Sequence, residues 1–470
     1  MIRGNLHRLF IDVSNELIIS VSGLRGVVGD SLTEAVAYRY AAAFAETLPN
    51  GPVLVTRDGR ANGPQLVPAV VAGLSQQGTR QVLDGGVCAT PTTGVLVRHQ
   101  KCAGGVQISA SHNPAPYNGL KLFSGEGRVV PAKAGEAVLQ RYRSAADDAS
   151  SLEANAAVSN AEQLRDTTSA HLALIEKIVD VDRIRSKRFR VVLDANHGSG
   201  SVLGRPLLER LGCDVTVLGS TPDGLFAHEP EPTAENLASV LANVSQRGAA
   251  IGFCQDPDAD RLAIIDEGGR YLGEEYTLAM CVDHVLRKTR GPVVTNCSTS
   301  RMTEDLARKY GVPFVRSAVG EANVVDAMIR ESAVIGGEGN GGAIDPRVVF
   351  VRDSFVGMAL VLDAMAERGL AVSALASELP RYEIHKTKLT IGREKIPAAM
   401  TALMQQFPDA TADRMDGLRL DWPGTGGNGA WLLVRGSNTE PIVRIIAEAP
   451  TAASARSLCE QAIQIMQSDG

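Results

Sequence analysis

A chain of 470 residues is too long for one growing hydrophobic core and calls for three or four domains. With 44% hydrophobic and 21% charged residues the composition is globular, while a formal net charge of -6 and 4% aromatics argue against a nucleic-acid binder with a basic face or base-stacking platforms. No apolar run is long enough for a membrane span, and the first ten residues lack the apolar core of a secretory signal, so a cytoplasmic protein is expected. The seven cysteines form no Cys-x-x-Cys pair and read as buried free thiols in a reducing compartment.

Short apolar strand signals alternate with helical spacing from the start. Ser22-Gly23-Leu24-Arg25-Gly26 reads as a turn, Val53 to Thr56 as a strand interrupted by Asp58-Gly59-Arg60, and Leu66 to Leu74 as a helix. Further strands are expected at Gln81 to Leu83 and Gly105 to Ile108, the latter leading into Ser109-Ala110-Ser111-His112-Asn113-Pro114. Residues 131–165 read as helix and linker. A second α/β rhythm has strands at Arg190 to Leu193 and Asp214 to Leu218 around a helix from Leu203 to Leu211, then an apolar strand at Ile251 to Cys254. A third runs from a helix near Tyr276 through strands at 291–295 and 333–336, so the three stretches look like structural repeats. No close Gly-x-Gly-x-x-Gly match supports a nicotinamide site. From about residue 386 a smaller strand-containing domain begins, with a Gly-rich hairpin connection at 421–429 and a closing helix at 452–466.

The chemistry-bearing residues fall on loops. Asp256, Asp258 and Asp260 follow an apolar strand, and Pro257 takes them off it, so three carboxylates converge from one loop. Such a cluster needs a compensating cation; hard oxygen ligands without nearby Cys or His favour Mg²⁺ over zinc, the plain alternative being an acidic solvated turn. Ser111 can carry a phosphoryl group and share the same Mg²⁺, since no protease-like triad accompanies it. Lys121 is a proton-transfer residue or an electrostatic clamp, and His112 either assists the proton transfer or stabilises the loop. Arg435, Ser437, Asn438 and Thr439 surround a flexible Gly436 as an anion nest that Arg444 can complete, with Arg25 on the opposite side and Arg261 as charge partner or substrate-facing group. Glu338 and Asn340 suit sugar hydroxyls or an amino substituent, though the same loop could be a helix-to-strand turn. Arg352-Asp353 reads as a brace, and His197 as a polar bridge between domains. Together these loops spell phosphoryl transfer.

In their order along the chain, the serine loop, Asp256-Pro257-Asp258-Ala259-Asp260-Arg261 and Arg435-Gly436-Ser437-Asn438-Thr439-Glu440-Pro441 strongly resemble the α-D-phosphohexomutase family over essentially the whole chain. The resemblance implies an α/β fold of three related mixed α/β domains plus a smaller C-terminal TBP-like α+β domain around a central cleft. It implies a phosphoserine at Ser111, Mg²⁺ ligands at Ser111, Asp256, Asp258 and Asp260, active-site roles for Arg25 and Lys121, sugar recognition at Glu338, and a phosphate loop at Arg435, Ser437, Asn438 and Thr439. Two features depart from the family pattern: many members carry Gly-Glu-x-Ser-Gly-His, where Asn340 and Gly342 stand here, and often a lysine where Ala318 precedes Val319-Gly320.

The expected division is a phosphoserine domain at 1–160, a metal-binding domain at 161–270, a sugar-recognition domain at 271–385 and a phosphate-binding domain at 386–470. The expected reaction is reversible interconversion of glucosamine 6-phosphate and glucosamine 1-phosphate through phosphoserine and a bisphosphorylated sugar. The alternatives are a phosphomannomutase/phosphoglucomutase, a phosphosugar phosphatase and a non-catalytic phosphosugar-binding protein. The partner is a small phosphosugar, with no nucleic acid or membrane, in a monomer or homodimer.

Overall fold

The computed structural model describes residues 16–75, 80–144, 161–424, 428–436 and 442–468. Its first sheet is built from β1 (Ile18–Ser20), β2 (Gly23–Val27), β3 (Val53–Arg57), β4 (Val82–Val87), β5 (Gly104–Ile108), β6 (Tyr117–Ser124) and β7 (Glu162–Gln163), in the order β1-β2-β6-β5-β3-β4-β7. The second holds β8 (Arg190–Asp194), β9 (Asp214–Leu218), β10 (Ile251–Gln255) and β11 (Leu262–Ile265), ordered β11-β10-β8-β9. The third holds β12 (Val293–Asn296), β13 (Phe314–Ser317), β14 (Ile335–Glu338) and β15 (Gly342–Ile344), ordered β13-β12-β14-β15. The last is wholly antiparallel, β16 (Glu383–Thr390), β17 (Thr411–Asp413), β18 (Leu418–Trp422), β19 (Ala430–Gly436) and β20 (Ile442–Ala449), ordered β16-β20-β19-β18-β17.

The first three sheets share one four-strand unit. Its first strand (β3, β8 or β12) lies between the second and third in parallel, and the fourth (β6, β11 or β15) pairs antiparallel with the third. Parallel neighbours need a crossover, supplied by helices such as Gly63–Ser75, Gly200–Arg210 and Met302–Tyr310, whereas the antiparallel third and fourth strands are joined by a short connection. That connection is the serine loop in the first unit, the aspartate loop in the second and the Glu338 loop in the third. The end of the first strand repeats as well. Asp58, Asp194 and Asn296 each accept, through Oδ1, the backbone N–H two residues on, at 2.9, 3.1 and 2.9 Å.

These three units pack as one body. The largest core cluster joins Leu54 and Phe123 of the first to Leu193 and Phe253 of the second and Ile335 and Val361 of the third. Its centre is the helix Ser354–Arg368, buried from Ser354 to Ala366 and capped by Asp353, whose side chain accepts the Phe355 and Val356 amides and pairs with buried His171 at 2.8 Å. The C-terminal sheet has its own core of Leu420, Leu432, Val434 and Ile445 under the helix Ala452–Ser468.

The structure corrects two expectations and removes one alternative. Residues 23–27 form a strand, not a turn, because Gly23 to Val27 pair with Lys121 to Tyr117; Gly23 is required there, as a Cβ would lie 2.1 Å from the Leu120 carbonyl oxygen. The Glu338 loop joins strand to strand, so the alternative of a helix-to-strand turn does not apply. The His197 side chain bonds within the second unit, to Thr221 O at 3.0 Å and Asp223 at 3.1 Å, and among the described residues it bridges no domains. The segment at 421–429 does lie between the paired strands β18 and β19, with 425–427 outside the described residues. All seven cysteines are free, and six are buried. Among the described residues no helix is long and apolar enough to cross a membrane.

Candidate active site

Ser111 sits just past the end of β5 with φ 50°, a left-handed conformation that a serine adopts only when its surroundings impose it. The constraint is the fully buried Arg60. Its guanidinium donates to the carbonyls of Ser111 and Asn113 at 2.6 Å each, of Pro114 at 2.9 Å and of Tyr117 at 3.1 Å. Asp58 holds Arg60 in turn, accepting its Nε at 3.1 Å. Ser109 Oγ accepts the Ser111 amide at 2.9 Å, and the Ser111 hydroxyl donates across the interdomain gap to Asp256 Oδ2 at 2.8 Å.

The three aspartates are fully buried, and one oxygen of each lies within 4.8 Å of the others. Asp256 Oδ1 pins its own loop by accepting the amides of Asp260 and Arg261 at 3.1 and 3.0 Å. Asp258 Oδ2 accepts from Thr90 Oγ1 at 2.6 Å and Lys121 Nζ at 3.3 Å, and Asp260 Oδ2 accepts from Lys121 Nζ at 2.9 Å and Arg352 at 2.6 Å. Burial, reinforced by Asp258 and Asp260, pushes the Asp256 carboxyl well above the ordinary range. For Asp258 burial works the other way from Lys121 and the Thr90 hydrogen bond, which win and lower it; Arg352 does the same for Asp260. Burial likewise opposes charge on Lys121, but Asp260 and Asp258 outweigh it and hold the ammonium above its ordinary value. Asp258 Oδ1 and Asp260 Oδ1 are buried without a hydrogen-bond partner among the described residues. Unsatisfied hard oxygens beside a serine hydroxyl fit a Mg²⁺ ion.

Arg352 ties this cluster to the third unit. Besides Asp260, its guanidinium reaches Glu338 Oε2 at 2.8 Å and Glu321 Oε2 at 3.4 Å, and its amide donates to Glu321 Oε1 at 3.0 Å. Glu338 Oε1 also accepts from Asn296 Nδ2 at 2.7 Å and the Gly320 amide at 3.2 Å. Asn340 Nδ2 approaches Glu338 Oε2 at 3.5 Å, and Asn340 Oδ1 is buried without a partner among the described residues.

The remaining sequence candidates divide into two groups. Arg25, on β2, donates to Asn113 Oδ1 at 3.3 Å and is lowered by burial; His112 Nδ1 lies 3.3 Å from Ser111 Oγ, and burial, with Arg261 and Arg25 nearby, holds its imidazole well below 6.5. Arg261 reaches Glu231 at 3.6 Å and Asp256 at 4.0 Å. Thus Ser111, His112, Arg25, Lys121, Asp256, Asp258, Asp260, Arg261 and, through Arg352, Glu338 and Asn340 are brought together. Arg435 lies on β19, its Nε donating to Asp416 at 2.7 Å, and Arg444 is exposed at the directly opposed position of β20. Ser437, Asn438 and Thr439 lie outside the described residues.

Sequence reasoning passed over Arg60, Asp58, Thr90, Glu321 and Asn296. A usable signal was present for two of them: Asp58 and Asn296 follow or end an apolar strand as Asp194 does, a threefold repeat of Asx at one topological position.

Four domain models of the phosphoglucomutase/phosphomannomutase family match in order: α/β/α domain I at 17–148, domain II at 169–269, domain III at 274–382 and the C-terminal domain at 391–465. A phosphoglucomutase/phosphomannomutase of Thermococcus kodakarensis is 35% identical over 455 residues, covering 95% of this chain and 97% of the relative. The chain belongs to this family of α-D-phosphohexomutases. Other α-D-phosphohexomutases align as fully. The phosphoglucosamine/phosphogalactosamine mutase of Sulfurisphaera tokodaii is 29% identical over 96% of this chain and 99% of its own length. The crystal structure of a phosphoglucomutase/phosphomannomutase family protein from Burkholderia thailandensis superposes with a TM-score of 0.77 at 25% identity, covering 96% and 98% of the two chains. As a phosphohexomutase the protein is an enzyme, and Asp256, Asp258 and Asp260 are close enough together to hold a metal ion.

Proposed function

We propose that the protein interconverts glucosamine 6-phosphate and glucosamine 1-phosphate, with Ser111 as the phosphoryl carrier. The assignment of Ser111 as phosphoryl carrier is supported by one observation: its hydroxyl is held at 2.8 Å from a buried three-carboxylate cluster faced by Lys121. Asp256, Asp258, Asp260 and the Ser111 phosphate would hold Mg²⁺, which supplies charge neutralisation for the transferring group. Phosphorylated Ser111 gives its phosphoryl group to a sugar hydroxyl: the Oγ–P bond breaks, a sugar O–P bond forms, and the proton lost by the sugar hydroxyl passes through a nearby base to the departing Ser111 Oγ, which leaves as a neutral hydroxyl. His112, 3.3 Å from Oγ, stands beside the departing serine oxygen, where it can assist the return of the proton, and the Lys121 ammonium steadies charge on the transferring group. The bisphosphorylated sugar then turns in the cleft, and its other phosphate rephosphorylates Ser111. Arg25, Arg261, Arg435, Ser437, Asn438, Thr439 and Arg444 hold the non-transferring phosphate, while Glu338 and Asn340 hold the sugar. In this assignment 1–160 carries the phosphoserine, 161–270 the metal, 271–385 the sugar site and 386–470 the phosphate loop, in a cytoplasmic monomer or homodimer.

A phosphomannomutase/phosphoglucomutase is the second reading, favoured by the likeness to the Thermococcus phosphoglucomutase/phosphomannomutase; the likeness to the Sulfurisphaera mutase favours the amino sugar. The test compares kcat/KM for glucosamine, glucose and mannose 1- and 6-phosphates, with phosphorylated enzyme, Mg²⁺ and trace bisphosphosugar. Preference for glucosamine phosphates supports the first reading. Preference for glucose or mannose phosphates selects the second, and stoichiometric release of inorganic phosphate would instead identify a phosphatase.

A further inference from the structure

Asp416 stands in the turn between β17 and β18, followed by Gly417 at φ 85°, where a Cβ would lie 2.3 Å from the Val434 carbonyl oxygen of β19. The turn is therefore pressed onto the strand that carries Arg435. The two oxygens of this one carboxylate serve different domains. Oδ1 accepts Arg435 Nε at 2.7 Å, and Oδ2 accepts the Val319 amide of the third unit at 2.9 Å. The next residue, Gly320, donates its own amide to Glu338 Oε1 at 3.2 Å. Arg435 and Glu338 are thus joined by Asp416 and a single dipeptide, Val319-Gly320. Because Asp416 engages the guanidinium through Nε, the contact does not use the two terminal NH₂ groups, the fork that pairs with a phosphate. Val319 packs with Trp431 and Leu433 of the C-terminal sheet, so the backbone end of this link is itself held in an apolar interface.

We propose that Asp416 is a positioning residue of the mutase reaction, aiming Arg435 and fixing its separation from Glu338 so that phosphate and sugar are read at a set spacing. The proposal rests on the reading of Arg435 as a phosphate contact. It does not require Asp416 to touch substrate.

An amide at 416 can accept from only one of the two donors and turns its own NH₂ toward the other. Asp416→Asn is therefore expected to raise KM by about tenfold, the size of one lost charge-assisted hydrogen bond, for every phosphosugar the enzyme accepts, with kcat changed much less. A purely structural role would lower the melting temperature without this split. R435Q should raise KM on its own, and the D416N/R435Q pair should match R435Q alone, because the aspartate acts through the arginine. Wild-type KM in folded D416N, or an effect that multiplies with R435Q, overturns the proposal. If R435Q leaves KM unchanged, Arg435 is no phosphate contact, and the proposal falls with that reading. Should D416N fail to fold, Asp416→Ser, which also keeps one acceptor, is read by the same criteria.

Discussion

A Cβ built on Gly342 would lie 2.4 Å from Cδ of Arg352, so the arginine side chain lies across the bare backbone of that glycine. From there it reaches Glu338 at 2.8 Å and Asp260 at 2.6 Å, joining the Glu338 loop of the third unit to the aspartate cluster. The loop has no side chain at position 342, and the buried arginine occupies the space.

Gly342→Ala should therefore displace Arg352 and loosen Glu338 and Asp260 together. Overpacking of this kind costs about 1–3 kcal/mol, and kcat/KM is expected to fall by about tenfold or more. Steady-state kinetics and thermal melting check it; an alanine variant with unchanged efficiency would show that Arg352 has room to move aside.

Arg60→Ala removes the donor to four carbonyls of the serine loop and leaves Asp58 buried without its cation, where burial already raises its carboxyl. Breaking one side of a buried pair costs about 3–5 kcal/mol, so urea unfolding should shift strongly. Arg60→Lys should recover little, since an ammonium cannot reproduce the planar fork. Recovery of full stability by lysine would count against the carbonyl-clamp account.

Asp258→Asn changes a residue with one buried oxygen lacking a partner among the described residues. Mg²⁺ affinity, measured by calorimetry, should weaken by about tenfold or more, and excess Mg²⁺ should restore part of the turnover. Equal affinity and turnover in the folded variant would assign the cluster to structure alone.

Glu275, at the start of the helix Glu274–Lys288, has its carboxyl pushed up to about 8, chiefly by burial, although Ser300 donates its amide to it at 3.0 Å. An unfolded chain releases that proton near 4.5, so between about pH 4.5 and 8 the folded state binds more protons. Stability must then fall as pH rises through this window. E275Q lacks the ionisation, so its melting temperature should fall less than that of the wild type between pH 5 and 9. Parallel melting curves across that range would contradict the assignment.

The strand and helix order of the three α/β units was legible because each element carries its own apolar run, and the functional loops were legible because they hold polar residues between such runs. Arg25 shows the limit. Two glycines around it read locally as a turn, but pairing with the strand through Lys121 makes the segment a strand. Arg60 was opaque for a related reason: an arginine after Asp-Gly looks solvent-exposed, and only the distant carbonyls at 111–117 make its burial favourable. Glu338 and Asp260 were each visible as acids, but their joint dependence on Arg352 crosses 92 residues of sequence from Asp260.

The central claim is that Ser111 carries the phosphoryl group. Enzyme incubated with glucose 1,6-bisphosphate labelled in its phosphates, with Mg²⁺ present, should take up label on Ser111, and Ser111→Ala should retain the fold, take up none and lose turnover. Sustained mutase activity in pure, folded S111A protein would contradict the account.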